Sequence, residues 1–264
     1  MLAALLALAV SSTQVSTWRA LDGQNTLVID TNRGRIIVEL VPEVAPHAVE
    51  RMKLLAQRGT YDGLKFHRVI DWFMAQTGDP GDVDGGRTEL PDLKAELTFR
   101  RGAGTPYVEA ARPAGWASGF LTTLPVTGQP DSFRLHSADH RTTAWVNYCP
   151  GVVGMGRGEA IDSANAEFFL MRHAHPHLDK QYTPVGRVVQ GLEVVRALKK
   201  GQPVKDADVM VRVRLLADMP DSQRPRLVVM DTRSPAFRAR IEAARKRRGA
   251  DFSVCDLDVP TQEK

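Results

Sequence analysis

Arg68 and Gln76 stand eight positions apart in the segment F-H-R-V-I-D-W-F-M-A-Q-T-G-D, Phe66 to Asp79. They bring a permanent cation and a carboxamide, with Phe73 and Met74 between them. Read as two short successive strands, the segment puts Phe66 and Arg68 on one face of the first and Met74 and Gln76 on one face of the second, because side chains alternate along a strand. Such a surface suits a neutral, apolar substrate that must be gripped by its backbone. A guanidinium stays protonated and presents a rigid fork of donors, and a carboxamide both donates and accepts. By the same alternation His67 points away from Arg68 and reads as a structural histidine. No lone residue here is diagnostic; the ordered combination is.

The elements needed to hold these groups can be read on either side. L-V-I-D and I-I-V-E-L-V flank the turn Thr31-Asn32-Arg33-Gly34, which predicts a hairpin over Thr26 to Val41. Pro46 opens a helix in which Ala48, Val49, Met52, Leu55 and Ala56 recur at helical spacing, and Gly59 stands where it should end. Residues 80–148 are broken by proline and glycine into short pieces such as Phe133 to His136 and Thr142 to Tyr148, and read as an insertion with extra hairpins. Val209, Val211, Val213 and Leu215 alternate with Met210, Arg212, Arg214 and Leu216 as a last strand. Ser234-Pro235 then caps a helix running to Arg248, with Arg245, Lys246, Arg247 and Arg248 at the end that favours cations.

A second block, Gly154-Met155-Gly156-Arg157 followed by D-S-A-N-A-E-F-F-L over Asp162 to Leu170, completes the pattern. Together with F-H-R-V-I, F-M-x-Q-x-G-D, His177-Leu178-Asp179 and Gly186-Arg187-Val188, it resembles the signatures of the cyclophilin family of peptidyl-prolyl cis-trans isomerases, from Leu27 to about Asp218. The resemblance implies a mainly β fold: a closed eight-stranded antiparallel barrel capped by two helices, the second over Gly191 to Leu198. Here it carries the insertion and a C-terminal extension. It assigns Arg68 as the catalytic group. Phe73, Met74, Phe169 and Leu178 form the proline socket, Gln76, Gly156 and Arg157 the backbone grip, and Tyr182 stands where many members carry His. The chemistry it implies needs no cofactor, metal or covalent intermediate.

This chain departs from the family twice. Glu167 replaces the usual Gln before F-F; if its carboxylate reaches Arg68 it would hold the guanidinium away from substrate or orient it, and reduced but not abolished turnover is expected. His177 stands where cyclosporin-binding members commonly carry Trp, which puts drug sensitivity in question. A non-catalytic module or holdase for proline-containing segments stays open as the alternative, and a lipocalin-like carrier is a more distant one. His173, His175 and His177 also form H-x-H-x-H, a metal pattern on a strand, but Pro176 breaks the strand geometry.

Composition sets the remaining bounds. With 43% hydrophobic and 25% charged residues over 264 positions, the chain is neither disordered nor membrane-embedded. Of the net charge of +4, ten Lys/Arg against seven Asp/Glu after Met219 leave +3 in the tail, so no basic nucleic-acid groove is expected around Arg68. Met1 to Thr17 lacks charge, and Leu2 to Val10 is an apolar run too short to cross a bilayer. Residues 1–20 therefore read as a signal peptide without the usual basic start, residues 21–218 as the barrel domain, and residues 219–264 as an extension with a basic helix. A monomeric, periplasmic protein acting on proline-containing polypeptides would follow, without stable insertion into a membrane. Cys149 and Cys255 match no zinc motif. They either pair, tying the tail to the body, or are two unrelated buried thiols.

Overall fold

The computed structural model describes residues 15–81 and 87–264. The chain enters through β1 (Trp18–Ala20) and forms the hairpin β2 (Thr26–Thr31) and β3 (Gly34–Leu40), followed by helix α1 (Pro46–Gln57). The apolar stripe of α1, from Ala48 to Ala56, is buried. A second hairpin, β4 (Arg68–Val69) and β5 (Met74–Thr77), carries the first motif. The inserted region contains β6 (Phe99–Arg101), β7 (Tyr107–Ala111), β8 (Ala117–Leu121), β9 (Leu124–Gly128) and β10 (Thr142–Val146). The chain then returns through β11 (Val152–Met155), β12 (Phe168–Met171), β13 (Pro184–Gln190), α2 (Leu192–Ala197) and β14 (Met210–Leu215). It finishes with β15 (Leu227–Met230), α3 (Pro235–Arg248) and β16 (Thr261–Glu263).

Eight strands pair antiparallel in the order β14-β2-β3-β13-β11-β12-β5-β4. The sheet curls strongly but is not the continuously closed barrel that the resemblance implies. Among the described residues, the seam between its edges is crossed by the isolated bridges Lys65↔Val209 and Val69↔Gly201 rather than by a ladder. The two-residue strand β4 is too short for a full ladder, so the chain flanking it closes the gap with isolated backbone hydrogen bonds. The concave side is filled by fully buried side chains including Leu27, Ile29, Ile36, Phe66 and Phe168, so the interior is a packed core.

The last strand departs from simple alternation. Met210, Val213 and Leu215 are buried, whereas Val211 is 57% exposed. A bulge between Met210 and Arg212 against β2 inserts one residue and flips the pattern ahead of it.

The insertion is more regular than its broken sequence suggests: a five-stranded antiparallel sheet, β6-β10-β9-β8-β7. Phe133 to His136 belongs to a 3-10 turn, Asp131–His136, and forms no strand. The tail forms a third sheet, β1-β15-β16, in which Trp18 pairs with Met230 across 212 positions of chain. Trp18–Ala20 of the expected signal segment are thus part of the fold, and residues 1–14 lie outside the described residues. Helix α3 is capped by Ser234, whose hydroxyl accepts from the Phe237 amide at 3.2 Å, and it packs Phe237 edge-on against Phe120 of β8 at 5.1 Å. Cys149 and Cys255 form a disulfide that ties the tail to the body. Among the described residues no helix is long and apolar enough to cross a membrane.

Candidate active site

Strand register assembles the site. Arg68 lies directly opposite Gln76, Gln76 opposite Phe169, and Phe169 opposite Gly154. One row across four strands therefore carries a guanidinium, an amide, an aromatic ring and a glycine drawn from two distant motifs. A cavity of about 520 Å³ opens over this row. Arg68, Phe73, Met74, Gln76, Gly156, Arg157, Phe169, Leu178 and Tyr182 line it, together with Gly158, Glu159 and Gln202.

The apolar floor is fixed by packing. Met74, Phe169 and Leu178 are 2%, 5% and 6% exposed, so they present only an edge to the cavity. Phe169 is held between Tyr148, stacked at 5.7 Å, and Tyr182, edge-on at 5.5 Å. Arg157 lies 4.7 Å over the Tyr182 ring and anchors Nη1 on the Gly158 and Glu159 carbonyls. Beneath the floor, burial, and after it the neighbouring Asp179, pushes the Tyr148 phenol well above its ordinary range.

Arg68 donates Nη1 to Gln76 Oε1 at 2.8 Å, and Gln76 donates Nε2 to Glu167 Oε1 at 2.5 Å. This chain of bonds determines which way the amide points. A guanidinium only donates and an ionised carboxylate only accepts, so the carbonyl must face Arg68 and the nitrogen Glu167. Glu167 is 3% exposed and lies beneath the cavity rather than in its wall, linked to Arg68 through Gln76. The space it occupies requires Gly156. A side-chain carbon at residue 156 would fall 2.6 Å from Glu167 Oε2, while the Gly156 amide donates to the Glu167 carbonyl at 2.7 Å.

His67, read from alternation as a structural histidine pointing away from Arg68, is tied into this same network. Its Nε2 lies 3.0 Å from the same Glu167 oxygen. The physical reason is that β4 begins at Arg68, so His67 stands before the regular strand and is free of its alternation. Gln202, from beyond α2, was likewise hidden in the sequence. The bridge Val69↔Gly201 brings it beside Arg68 across the seam, a contact with no local signal.

Of the three histidines, His175 and His177 meet edge-on at 5.1 Å, while His173 packs on Trp72 at 4.5 Å. His175 also packs on Phe73 at 4.6 Å and shares a 2.6 Å hydrogen bond with the Trp72 carbonyl. His177 lies 6.3 Å from the Phe73 ring. Among the described residues no group of three or more His, Cys, Asp or Glu is arranged to hold a metal ion. The assembled groups are a fixed cation, an oriented amide and an apolar pit, which suit binding a strained neutral amide better than nucleophilic attack.

The profile of the family described as cyclophilin type peptidyl-prolyl cis-trans isomerase/CLD matches residues 26–217. A probable peptidyl-prolyl cis-trans isomerase of Brucella suis is 34% identical over 224 residues, covering 82% of this chain and 95% of its own. Peptidyl-prolyl cis-trans isomerase B of Bacillus subtilis is 28% identical over 175 residues, or 66% and 90% of the two chains. The crystal structure of cyclophilin AquaCyp293 from Hirschia baltica superposes with a TM-score of 0.84 at 32% identity, over 93% of this chain and 92% of the other.

Proposed function

The chain belongs to the family of cyclophilin-type peptidyl-prolyl cis-trans isomerases and has that activity, and we propose that it exerts it on exported polypeptides with Arg68 as the catalytic group. An X-Pro bond isomerises slowly because amide resonance gives its C–N bond partial double-bond character, with a barrier of about 18–20 kcal/mol. Twisting the bond abolishes the resonance and leaves a lone pair on a pyramidal proline nitrogen. A donor aimed at that nitrogen binds the twisted state better than either planar isomer, which is the differential binding that lowers a barrier.

Arg68 suits that task because one limb of its fork is anchored on Gln76 and the residue borders the cavity. The proline ring would rest on Met74, Phe169 and Leu178, walled by Phe73 and Tyr182. Gln76 keeps one amide hydrogen and one carbonyl lone pair for the substrate backbone, and the strand edge at Gly156 and Arg157 holds the residue before proline. No proton moves and no covalent bond forms; the chain supplies position, a dry wall and a fixed charge.

The observation that carries this reading is that the Arg68 guanidinium and the apolar pit border one cavity. Exchange spectroscopy on an Ala-Pro peptide tests it. The protein should speed cis-trans exchange and Arg68→Ala should lose most of the acceleration. Equal rates for the two would remove Arg68 from the mechanism. Export is supported by the Cys149–Cys255 disulfide, which suits an oxidising compartment, and by the apolar run at Leu2 to Val10. Any leader would be cut before Trp18, because β1 is part of the tail sheet. Cell fractionation of the full-length chain followed by N-terminal sequencing tests this, and a cytoplasmic, uncut product would refute it.

A further inference from the structure

The five-stranded sheet carries an aromatic platform that the isomerase chemistry leaves unused. Its register pairs Thr127 with both Ser118 and Trp145, so these side chains share one face, and Phe120 lies on that face two residues beyond Ser118. The tail covers the Phe120 end, where Phe237 packs against it, and the middle of the face, where the turn Val254–Asp256 packs on β8 and β9. At the other end Trp116 is 44% exposed and meets Trp145 edge-on at 5.1 Å. An indole pair held in fixed mutual geometry, Trp116 exposed and Trp145 half-buried, leaves apolar area uncovered that folding alone would bury.

This end of the sheet runs into the groove. Lys180 places its ammonium 4.5 Å over the Trp145 ring, and it belongs to the turn between Leu178 and Tyr182, both of which line the groove. The turn is stitched to the insertion: the Asp179 carboxylate accepts from the Tyr148 amide at 2.8 Å and from Asn147 Nδ2 at 2.9 Å. Lys180 itself sits at φ +60°, a conformation a lysine adopts only when its surroundings hold it there. One rigid turn thus belongs to the proline groove on one side and to the tryptophan pair on the other.

We propose that Trp116 and Trp145 form a second subsite, which takes an aromatic side chain of the same client polypeptide whose proline occupies the groove. This rests on the groove reading above. The length of the Lys180 side chain and the two-residue step to Leu178 separate the subsites by on the order of 15 Å, about four or five residues of extended chain. The occupant is therefore an unfolded segment with an aromatic residue at that distance from its proline. A burial of this kind is worth three- to tenfold in affinity.

The test compares two twelve-residue Ala-Pro peptides, one with Phe four or five residues from the proline on either side and one with Ala there, alongside an Ala-Pro tetrapeptide. The native protein should bind the Phe peptide three- to tenfold more tightly. Trp116→Ala and Trp145→Ala should each erase that preference while turning over the tetrapeptide at the native rate, which also shows that they fold. Acceleration of the tetrapeptide with equal affinity for the Phe and Ala peptides would overturn the second subsite alone. Failure to accelerate the tetrapeptide would remove the groove reading and the second subsite with it.

Discussion

Replacing Arg68 by lysine keeps the charge and removes the fork, so it isolates the geometric part of the argument. In the native site one nitrogen of the guanidinium is committed to Gln76 Oε1 at 2.8 Å, and Arg68 borders the cavity. A lysine ammonium is a compact, strongly hydrated point charge on a flexible stem. It satisfies Gln76 or the twisted proline nitrogen, without a rigid frame joining the two. Loss of one preorganised donor to developing transition-state charge costs about 2.7–4 kcal/mol, or about 10²–10³ in rate. Arg68→Lys should therefore lower kcat/KM by about a hundredfold and Arg68→Ala by somewhat more. Arg68 is only partly buried, so urea unfolding should shift by less than about 1 kcal/mol in either variant. Exchange spectroscopy gives the rates, and combining each variant with Gln76→Ala gives a double-mutant cycle. Because the two side chains are bonded, their effects on kcat/KM should fall short of additivity by roughly 1–2 kcal/mol. A lysine variant within threefold of the native rate, or strictly additive effects, would refute the anchored-fork mechanism.

Three further perturbations probe the surroundings. Glu167 carries a negative charge behind Gln76 that opposes the positive field of Arg68; at about 8 Å and an effective dielectric near 20, two unit charges interact by about 2 kcal/mol. With roughly half a charge developing on the proline nitrogen, Glu167→Gln should raise kcat/KM about fivefold, and an unchanged catalysed rate sinks that explanation. The Cys149–Cys255 bond closes a loop across 106 positions, so the double Ser variant should lose up to about 4–5 kcal/mol in the chain-entropy account, while the unfolded, unreduced native protein should show no free thiol. Asp208 is buried, which works to raise its pKa, but the Lys199 amide, Arg33 and Asn32 all donate to it and Arg33 adds its charge, holding the carboxyl below the usual range. Its contribution is full above the unfolded value of about 4 and is lost as pH falls through the lower folded value. Melting temperature against pH should therefore steepen below about pH 4 in the native protein and flatten there in Asp208→Asn, and parallel acid limbs would contradict it.

The amino-acid sequence alone determined the parts of this protein that are governed by neighbours along the chain. The β2–β3 hairpin, α1 with its buried stripe and the Ser234-capped α3 all follow from periodicity and end signals, because those depend on residues three or four positions away at most, while α2 came from the family resemblance. The two motifs likewise contained the cavity's catalytic-type residues, since each spans one or two short strands. Tertiary structure decided whatever depends on which strands become neighbours. It put Gln76 opposite both Arg68 and Phe169, joined His67 to Glu167, brought Gln202 across the seam and paired Trp18 with Met230. It also turned the Pro- and Gly-broken insertion into a sheet whose Trp116–Trp145 pair reaches the groove through Lys180, and chose a disulfide where spacing left two thiols equally plausible. The division is physical. Local propensity is written in a few consecutive side chains, whereas strand register and seam contacts follow from burying one core among segments more than a hundred residues apart.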